Sequence, residues 1–412
     1  MKEFKGIIIS ANIRNDARVE HQVDELVQLA ASIDIEIIGT HIQNLSDIQA
    51  KTYVGSGFLD EVADVYFDVE EESSMIDYVI VNDELTASQN RNIERRFDVK
   101  VIDRTQVILD IFSQRAHSKV GQLQVELAQL QYLVPRLKGQ GINLSRLGAG
   151  IGTRGPGETK LETDRRHIHT RIKEIRNQLK VIEDHRERYR ERRNINQVVK
   201  MSLIGYTNAG KSTLFNVLAK GDTYEEDVLF ATLDPKTKQL VFPNGFQAII
   251  SDTVGFIQNL PTTLVESFNS TLEEARDSDF IIHVVDNSDP HHYNHYETVQ
   301  ALIKQLDMHD IPQIVLLNKT DLEDARHFIP DYPHMYVNKF MEPKKIREAL
   351  LELMQKHMTP YEITLDIQAQ DTLYLLKKHT VVKEETINEE TNQYEITGYE
   401  PAGDWVDRIL KR

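Results

Sequence analysis

Gly205-Tyr206-Thr207-Asn208-Ala209-Gly210-Lys211-Ser212 decides the fold of this 412-residue chain. The string fits G-x-x-x-x-G-K-[ST], a Gly-rich loop whose backbone N–H groups wrap phosphate oxygens. Val198, Val199, Met201, Leu203 and Ile204 before it predict a buried strand, and Leu214, Phe215, Val217 and Leu218 after it predict a helix. That helix starts near Lys211 and adds the positive end of its dipole. The Lys211 ammonium is placed to reach the outer phosphates of a nucleoside triphosphate. The Ser212 hydroxyl, followed by Thr213, is placed to ligate Mg²⁺. Alone, the pattern competes with an ordinary Gly-rich turn before a helix.

Three further strings agree with the phosphate reading. Asp252-Thr253-Val254-Gly255 supplies a D-x-x-G after the apolar Ala248-Ile249-Ile250. A carboxylate there can hold Mg²⁺ directly or through water, and the Gly255 N–H can sense a γ-phosphate. An isolated Asp252 would more often be a helix N-cap or a turn residue. Thr232, twenty residues after Ser212, lies in a charge- and turn-rich stretch, 222–238, that reads as a mobile switch and offers a third Mg²⁺ ligand. Asn318-Lys319-Thr320-Asp321 follows the buried-strand run Ile314-Val315-Leu316-Leu317. Asp321 can accept hydrogen bonds from N1–H and the exocyclic amine of guanine. Adenine lacks that donor pair and would leave the carboxylate unpaired. Asn318 and the Lys319 stem brace the loop and cover the base. Together the strings predict a guanine-nucleotide site on an α/β sheet, with Phe242-Pro243-Asn244-Gly245-Phe246 as a hairpin to an antiparallel edge strand.

These residues resemble the translation-factor-related GTPases. The resemblance implies nucleotide contacts from Gly205, Asn208, Gly210, Lys211, Ser212, Thr213, Thr232, Asp252, Gly255, Asn318, Lys319 and Asp321, with Tyr206, Thr207 and Ala209 completing the loop. Lys211, Thr232, Gly255 and Asn208 are the catalytic candidates. Two departures stand out. Ras-like enzymes carry a water-orienting glutamine right after D-x-x-G, whereas this chain has Phe256, so hydrolysis by the chain alone is expected to be slow. Asn208 offers one remedy, because in related GTPases an asparagine at this place helps hold K⁺; a plain turn-forming asparagine is the competing account. The last guanine-contacting loop, usually S-A-[KL], is Tyr336-Val337-Asn338-Lys339 here, and only backbone N–H groups of Val337, Asn338 and Lys339 replace the usual contacts.

The chain is long enough for about three domains. It has no cysteine, which excludes disulfides and thiolate metal sites and fits a cytoplasmic protein. No N-terminal apolar segment of signal type and no apolar run near 18 residues occurs, so neither secretion nor a membrane span is expected. Net charge is −17, yet residues 136–193 hold 16 Lys and Arg against 8 Asp and Glu. An acidic protein with one basic arm points to an anionic partner, nucleic acid first, against the alternative of a solvated helical face.

Residues 1–114 alternate apolar strands (Gly6 to Ser10, Ile35 to Gly39, Tyr78 to Val81, Val99 to Ile102) with helical stretches near 18–32, 57–71 and 86–97. This predicts a small α/β domain with a largely parallel sheet. Residues 115–197 change rhythm. Val120, Leu123, Leu127, Leu130, Val134 and Leu137 step by 3 and 4, as do Ile168, Ile172, Ile175, Leu179 and Ile182. Two such helices predict an antiparallel hairpin stalk. Its connection, 138–159, contains seven glycines and Pro156 and is expected to be non-helical. Residues 198–358 form the nucleotide domain. Within it, His283 reads as a core residue, and His291, His292 and His295 as a polar helix start rather than a metal site. Residues 359–412 read as a small α+β appendage with two strand pieces, a terminal helix and a mobile hairpin loop at 384–394.

With the stalk read, the resemblance narrows to the HflX family. It is carried by RTQVILDIF at 104–112, LQVELAQL at 123–130, LSRLGAGIGTRGPGE at 144–158, LETDRR at 161–166 and FATLDP at 230–235. Ala149 stands where the family usually has glycine, and Lys236 where it usually has threonine. The resemblance implies a GTPase that binds the large ribosomal subunit and dissociates or rescues stalled ribosomes under stress; separately, a monomer is expected. Its basic arm would then meet ribosomal RNA, with Arg146, Arg154, Arg165, Arg166 and Arg171 as candidate contacts. An ATP-dependent RNA remodeler and a regulatory GTP switch for a protein partner are the alternatives.

Overall fold

The structure is a computed structural model that describes residues 4–68, 73–137, 156–195, 198–219, 236–253, 255–257, 275–322 and 328–411, with side chains of the long helix described from 163 to 185. The chain divides into two compact units. The first holds residues up to Ile182, and the second holds Glu183–Asn259 and Phe268–Arg412.

The first unit opens with β1 (Phe4–Ile13), α1 (Val19–Ala31), β2 (Ile35–Leu45) and α2 (Ser56–Tyr66). A short pair, β3 (Phe67–Asp68) and β4 (Ser73–Ser74), precedes β5 (Tyr78–Val81), α3 (Ala87–Phe97), β6 (Lys100–Asp103) and α4 (Arg104–Arg115). The main sheet runs β2-β1-β5-β6 and is parallel throughout. Its central strands carry continuous apolar runs, Ile7 to Ile9 and Val79 to Val81, all fully buried, as expected of a sheet covered on both faces. Helix α3 starts on a capping box between Thr86 and Gln89. Helix α2 is shorter than the predicted 57–71. It stops at Tyr66, whose hydroxyl lies 2.8 Å from His41 Nε2, and the chain turns extended at Phe67 to pair with Ser74.

Helices α5 (Lys119–Leu137) and α6 (Pro156–Ile195) bring the two heptad stripes together. Leu123, Leu127, Ile172 and Ile175 form the cluster's buried centre, flanked by Leu130, Val134, Ile168, Leu179 and Ile182. The connection is shorter than expected from glycine content, because α6 already begins at Pro156. A proline in the first helical turn forfeits no hydrogen bond, since that N–H has no intrahelical partner. Helix α5 also has a second buried face, with Val125, Ala128 and Tyr132 turned away from solvent. It packs against α4 and α3, so it lies on the N-terminal domain rather than standing clear of it. The mooring point is Asp103, fully buried at the end of β6. Its carboxylate caps α4 through Gln106 N (2.9 Å) and accepts from Leu85 N (2.9 Å), Tyr132 Oη (2.9 Å) and Arg136 Nη2 (2.8 Å). The Arg136 guanidinium lies 3.4 Å over the Tyr132 ring, and burial together with Asp103 pushes the Tyr132 hydroxyl pKa upward.

The second unit contains β7 (Val199–Gly205), α7 (Lys211–Leu218), β8 (Lys236–Val241), β9 (Gln247–Asp252) and β10 (Phe280–Asp286). Next come α8 (His292–Gln305), β11 (Gln313–Asn318), β12 (His334–Tyr336) and α9 (Pro343–Gln355). The sheet order is β12-β11-β10-β7-β9-β8, parallel except where β8 runs against β9. The turn at 242–246 closes through Phe242 N to Phe246 O at 2.8 Å, with Gly245 at φ +94°. The appendage is fuller than the sequence suggests: β13 (Thr359–Asp366), α10 (Gln370–His379), β14 (Val381–Asn388), β15 (Gln393–Glu400) and α11 (Trp405–Leu410). The hairpin expected at 384–394 is present but mostly strand rather than loop, since β14 pairs with β15 from Val381 to Asn388. Asn388 Oδ1 takes the turn amides of Glu390 and Thr391. Val381 and Trp405 join the nucleotide domain's core cluster.

Candidate functional site

The carboxyl ends of β7, β9, β10 and β11 converge on one edge of the six-stranded sheet, because those strands are parallel and in register. The Gly-rich loop leaves β7 and re-enters helix at Lys211. Gly210 sits at φ +88°, where a Cβ would collide with the Asn318 amide, so only glycine fits. Asn208 is also left-handed, at φ +58°, and its side chain is exposed. Asn318 Nδ2 donates to Ala209 O at 3.0 Å and ties the loop to the end of β11.

Lys211 is buried, and its Nζ donates to Tyr206 O at 2.7 Å. Burial lowers its pKa to about 8, opposed by the nearby Asp252 carboxylate. Ser212 Oγ donates to Asp252 Oδ2 at 2.8 Å, which brings the hydroxyl and the carboxylate proposed for Mg²⁺ together. Thr253, next to Asp252 and fully buried, donates from Oγ1 to Leu203 O at 2.6 Å and locks the strand end. The D-x-x-G segment is laced to the loop: Thr207 N donates to Phe256 O at 2.7 Å, and Phe256 N donates to Gly205 O at 3.1 Å. Phe256 is 3% exposed, so its ring belongs to the core and not to any water. Gly255 lies so close that a Cβ would stand 3.0 Å from Thr207 Cγ2 and 3.1 Å from Lys211 Nζ.

A cavity of about 280 Å³ opens beside the loop, lined by Gly210, Thr213, Val217, Asn318, Asp321 and Lys339 among others. Asp321 faces it with its carboxylate 3.4 Å from Lys339 Nζ. Lys319, at φ +60°, pairs with Asp286 at 2.8 Å. Thr320 Oγ1 donates to Val337 O at 3.1 Å, which brings the loop of Val337, Asn338 and Lys339 against the N-K-x-D turn. Sequence reading misses Asp286 and Asn287. Asp286 is the register partner of Asn318, and Asn287 N donates to Asn318 O at 2.9 Å. The available signal was an apolar strand ending in Asp-Asn, parallel to one ending in Asn-Lys.

Some candidates fall elsewhere. Thr232, Arg146, Arg154 and Ala149 lie outside the described residues. Lys236 is exposed at the start of β8. Arg166 is exposed and Arg165 half-buried on α6. Arg171 is engaged, with Nε and Nη2 on the two Glu126 oxygens at 2.6 and 2.8 Å, a pairing that pushes its pKa up. His283 is buried in β10 and its pKa falls to about 3 through burial. Among the described residues no cluster of three metal-ligating side chains occurs, and no helix is long and apolar enough to cross a membrane.

Comparison with known proteins places this geometry in context. Residues 20–113 match the family described as GTP-binding GTPase N-terminal, residues 115–193 the GTP-binding GTPase middle region, and residues 200–319 the family described as 50S ribosome-binding GTPase. The GTPase HflX of Alkalihalophilus pseudofirmus is 47% identical over 394 residues, spanning 94% of this chain and 91% of that protein. The GTPase HflX of Caldanaerobacter subterraneus subsp. tengcongensis is 44% identical, spanning 89% of this chain and 85% of that one. A solved GTP-binding protein from Sulfolobus solfataricus in complex with GDP is 20% identical with a TM-score of 0.44, covering 86% of this chain and 99% of its own. Identity at this level over nearly the whole length means that the chain belongs to the HflX family of GTPases, a guanine-nucleotide-binding, GTP-hydrolysing enzyme on a phosphate-loop fold.

Proposed function

We propose that this HflX-family GTPase is a cytoplasmic, monomeric ribosome factor that associates with the large subunit and dissociates or rescues stalled ribosomes under stress. The observation that carries the proposal is Phe256. Where a water-orienting side chain would stand, a buried ring is pinned by its backbone to the phosphate loop. Hydrolysis then depends on a group supplied from outside the described site. The match of residues 200–319 to a family described as 50S ribosome-binding supports the large subunit as that source.

In this reading Lys211 moves from the Tyr206 carbonyl to the outer phosphates, and the backbone amides of 208–212 wrap the inner ones. The oxygen donors present suit a hard dication. Ser212 and Asp252, 2.8 Å apart, would hold Mg²⁺, with Thr232 as a third ligand. Bound there, Mg²⁺ supplies neutralising charge at the β- and γ-phosphates. Gly255 N–H reads the third phosphate. Asp321 takes the guanine edge in the cavity, Asn318 and Lys319 brace that turn, and Val337, Asn338 and Lys339 close it with backbone donors. Asn208, left-handed and exposed, is available to help hold K⁺.

The basic helix α6 supplies the RNA contact. Arg165 and Arg166 stand ready on it, while Arg171 must leave Glu126 to take part. Neutralising Arg165 and Arg166 together should weaken subunit binding and flatten its salt dependence. The direct test is GTP turnover with and without purified large subunits, in K⁺ and in Na⁺. Turnover should rise strongly with subunits. Equal rates in both would remove the ribosome from this account.

A further inference from the structure

We infer that His295 is a positioning residue for the phosphate loop: stacked on Tyr206, it fixes the segment that ties the loop to Gly255 and so favours GTP over GDP. The inference rests on the proposed role of Gly255 at the third phosphate.

His295 lies one turn into α8 and is nearly buried. Its ring is stacked on the Tyr206 ring, with centroids 3.8 Å apart and planes 10° apart. The imidazole Nδ1 lies 3.8 Å from Asp289 Oδ2, and the backbone N of His295 donates to His291 O at 3.0 Å, which fixes its place in the first turn of the helix. His292, in the same turn, faces Phe328 instead, at 5.5 Å. Of these two buried histidines, then, it is His295 that reaches the loop.

Tyr206 in turn governs two contacts. Its carbonyl accepts Lys211 Nζ at 2.7 Å and Ala209 N at 3.3 Å. Its neighbours Gly205 and Thr207 carry the two hydrogen bonds to Phe256, at 3.1 and 2.7 Å. Gly255 precedes Phe256 and lies beside Thr207 and Lys211, where an added Cβ would stand 3.0 and 3.1 Å from their side chains. A displaced Tyr206 therefore carries Gly255 with it, through Gly205, Thr207 and Phe256. Gly255 serves the outermost phosphate. The amides from Asn208 to Ser212, anchored by Asn318 through Ala209 O at 3.0 Å, serve the inner ones. Losing the stack should cost GTP more than GDP. A parallel ring pair is worth enough to change affinity by roughly two- to tenfold.

The test measures GDP and a non-hydrolysable GTP analogue against the full chain and its variants, with melting temperature recorded for each. His295→Ala should weaken the GTP analogue by about two- to tenfold and GDP by less than about twofold. His295→Phe, which keeps a flat ring, should restore the wild-type ratio. Tyr206→Leu should reproduce the GTP-selective loss, and adding His295→Ala to it should change nothing further. Equal losses for both nucleotides in His295→Ala or Tyr206→Leu would overturn the inference, as would additive effects in the double variant. If His295→Ala does not fold, Tyr206→Leu alone decides. Gly255→Ala separates the underlying reading: it should lose the GTP analogue selectively. An unchanged ratio there removes the role of Gly255, whereas a changed ratio with an indifferent His295→Ala removes only the role of His295.

Discussion

Two of the sheets, one all parallel and one parallel but for β8, belong to α/β layers, and their strand ends have opposite fates. In the N-terminal sheet several polar groups at the carboxyl ends bond to one another, although Asn12 Oδ1, Arg104 Nε and Arg136 Nε are buried without a partner. Asp103 takes four donors, Tyr53 donates to Asp83 while accepting from Ala11 N at 2.8 Å, and Arg104 is buried against Glu25. In the second sheet the same edge carries a Gly-rich loop, a buried lysine and a cavity of about 280 Å³. Ligands of open parallel sheets bind at this edge. What separates a site from a structural knot is whether side chains of the same chain fill the edge. Tyr132 and Arg136 from α5 do so in the first sheet. At the second, glycines keep side chains away.

The most severe way to break this comparison is Lys211→Ala. It should lower GTP turnover by at least about 10³-fold, because a preorganised charge at the outer phosphates is lost. It should also abolish uptake of both ATP and GTP, measured by equilibrium binding. Retained nucleotide binding in that variant would place a second site elsewhere, with the N-terminal sheet the first suspect, and the contrast between open and filled edges would fall. The reciprocal change is Asp103→Ala. Stripping the acceptor from Arg136, Tyr132 and two backbone amides should cost the first unit about 3 kcal/mol. It should leave subunit-free GTP turnover unchanged. Hydrogen exchange along α5 reports the loss; unaltered protection there would show that the knot holds nothing.

The open edge was far more legible in the sequence than the filled one. Gly210, Lys211, Asp252, Asn318 and Asp321 stand out in the sequence because they fall in short strings of fixed residue type and spacing. The strands before them are continuous apolar runs that read as buried. Asp103, Tyr132 and Arg136 give no such signal. They are distant in sequence, each type is common on surfaces, and only the docking of α5 brings them together. The same limit hid Lys319 on Asp286 and the lacing of Thr207 to Phe256, both non-local. Strand β14 escaped for another reason. It is the edge of its sheet, and from Lys383 to Thr386 every side chain is exposed, so no alternation of apolar and polar residues marks it. Helix α2 stops early where Phe67 turns extended to pair with Ser74, a pairing that helical periodicity does not see.

Asp321→Asn probes how the open edge chooses its base. The amide presents a donor where guanine requires an acceptor, so GTP affinity should fall about 10²-fold while XTP gains. Competition between GTP and XTP measures both. Unchanged affinities would leave the cavity beside Lys339 without a role in base recognition, and would make the second edge a phosphate site alone.

The smallest effect tests the sheets themselves rather than their edges. The central strands of the first sheet bury aliphatic runs and the uncharged Ser10, whereas the second buries His283 in mid-strand, stacked 5.1 Å from Tyr296 and within 3.2 Å of Gln300 Nε2. Its folded pKa of about 3 lies below the ordinary histidine value, so the native state excludes a proton that the unfolded chain accepts. Nothing is lost above pH about 6.5. As pH falls from about 6.5 toward about 3, the unfolded state gains protons and stability declines, reaching about 2 kcal/mol by pH about 5. Trp405 is the chain's one tryptophan and sits in the second unit's core, so its fluorescence follows this unit during denaturation. His283→Asn keeps an acceptor for Gln300 and removes the titrating group. Its stability relative to wild type should therefore improve steadily as pH drops through that window. A constant difference across the window would mean that His283 is not held neutral, and that acid lability of the second unit has its source in other residues.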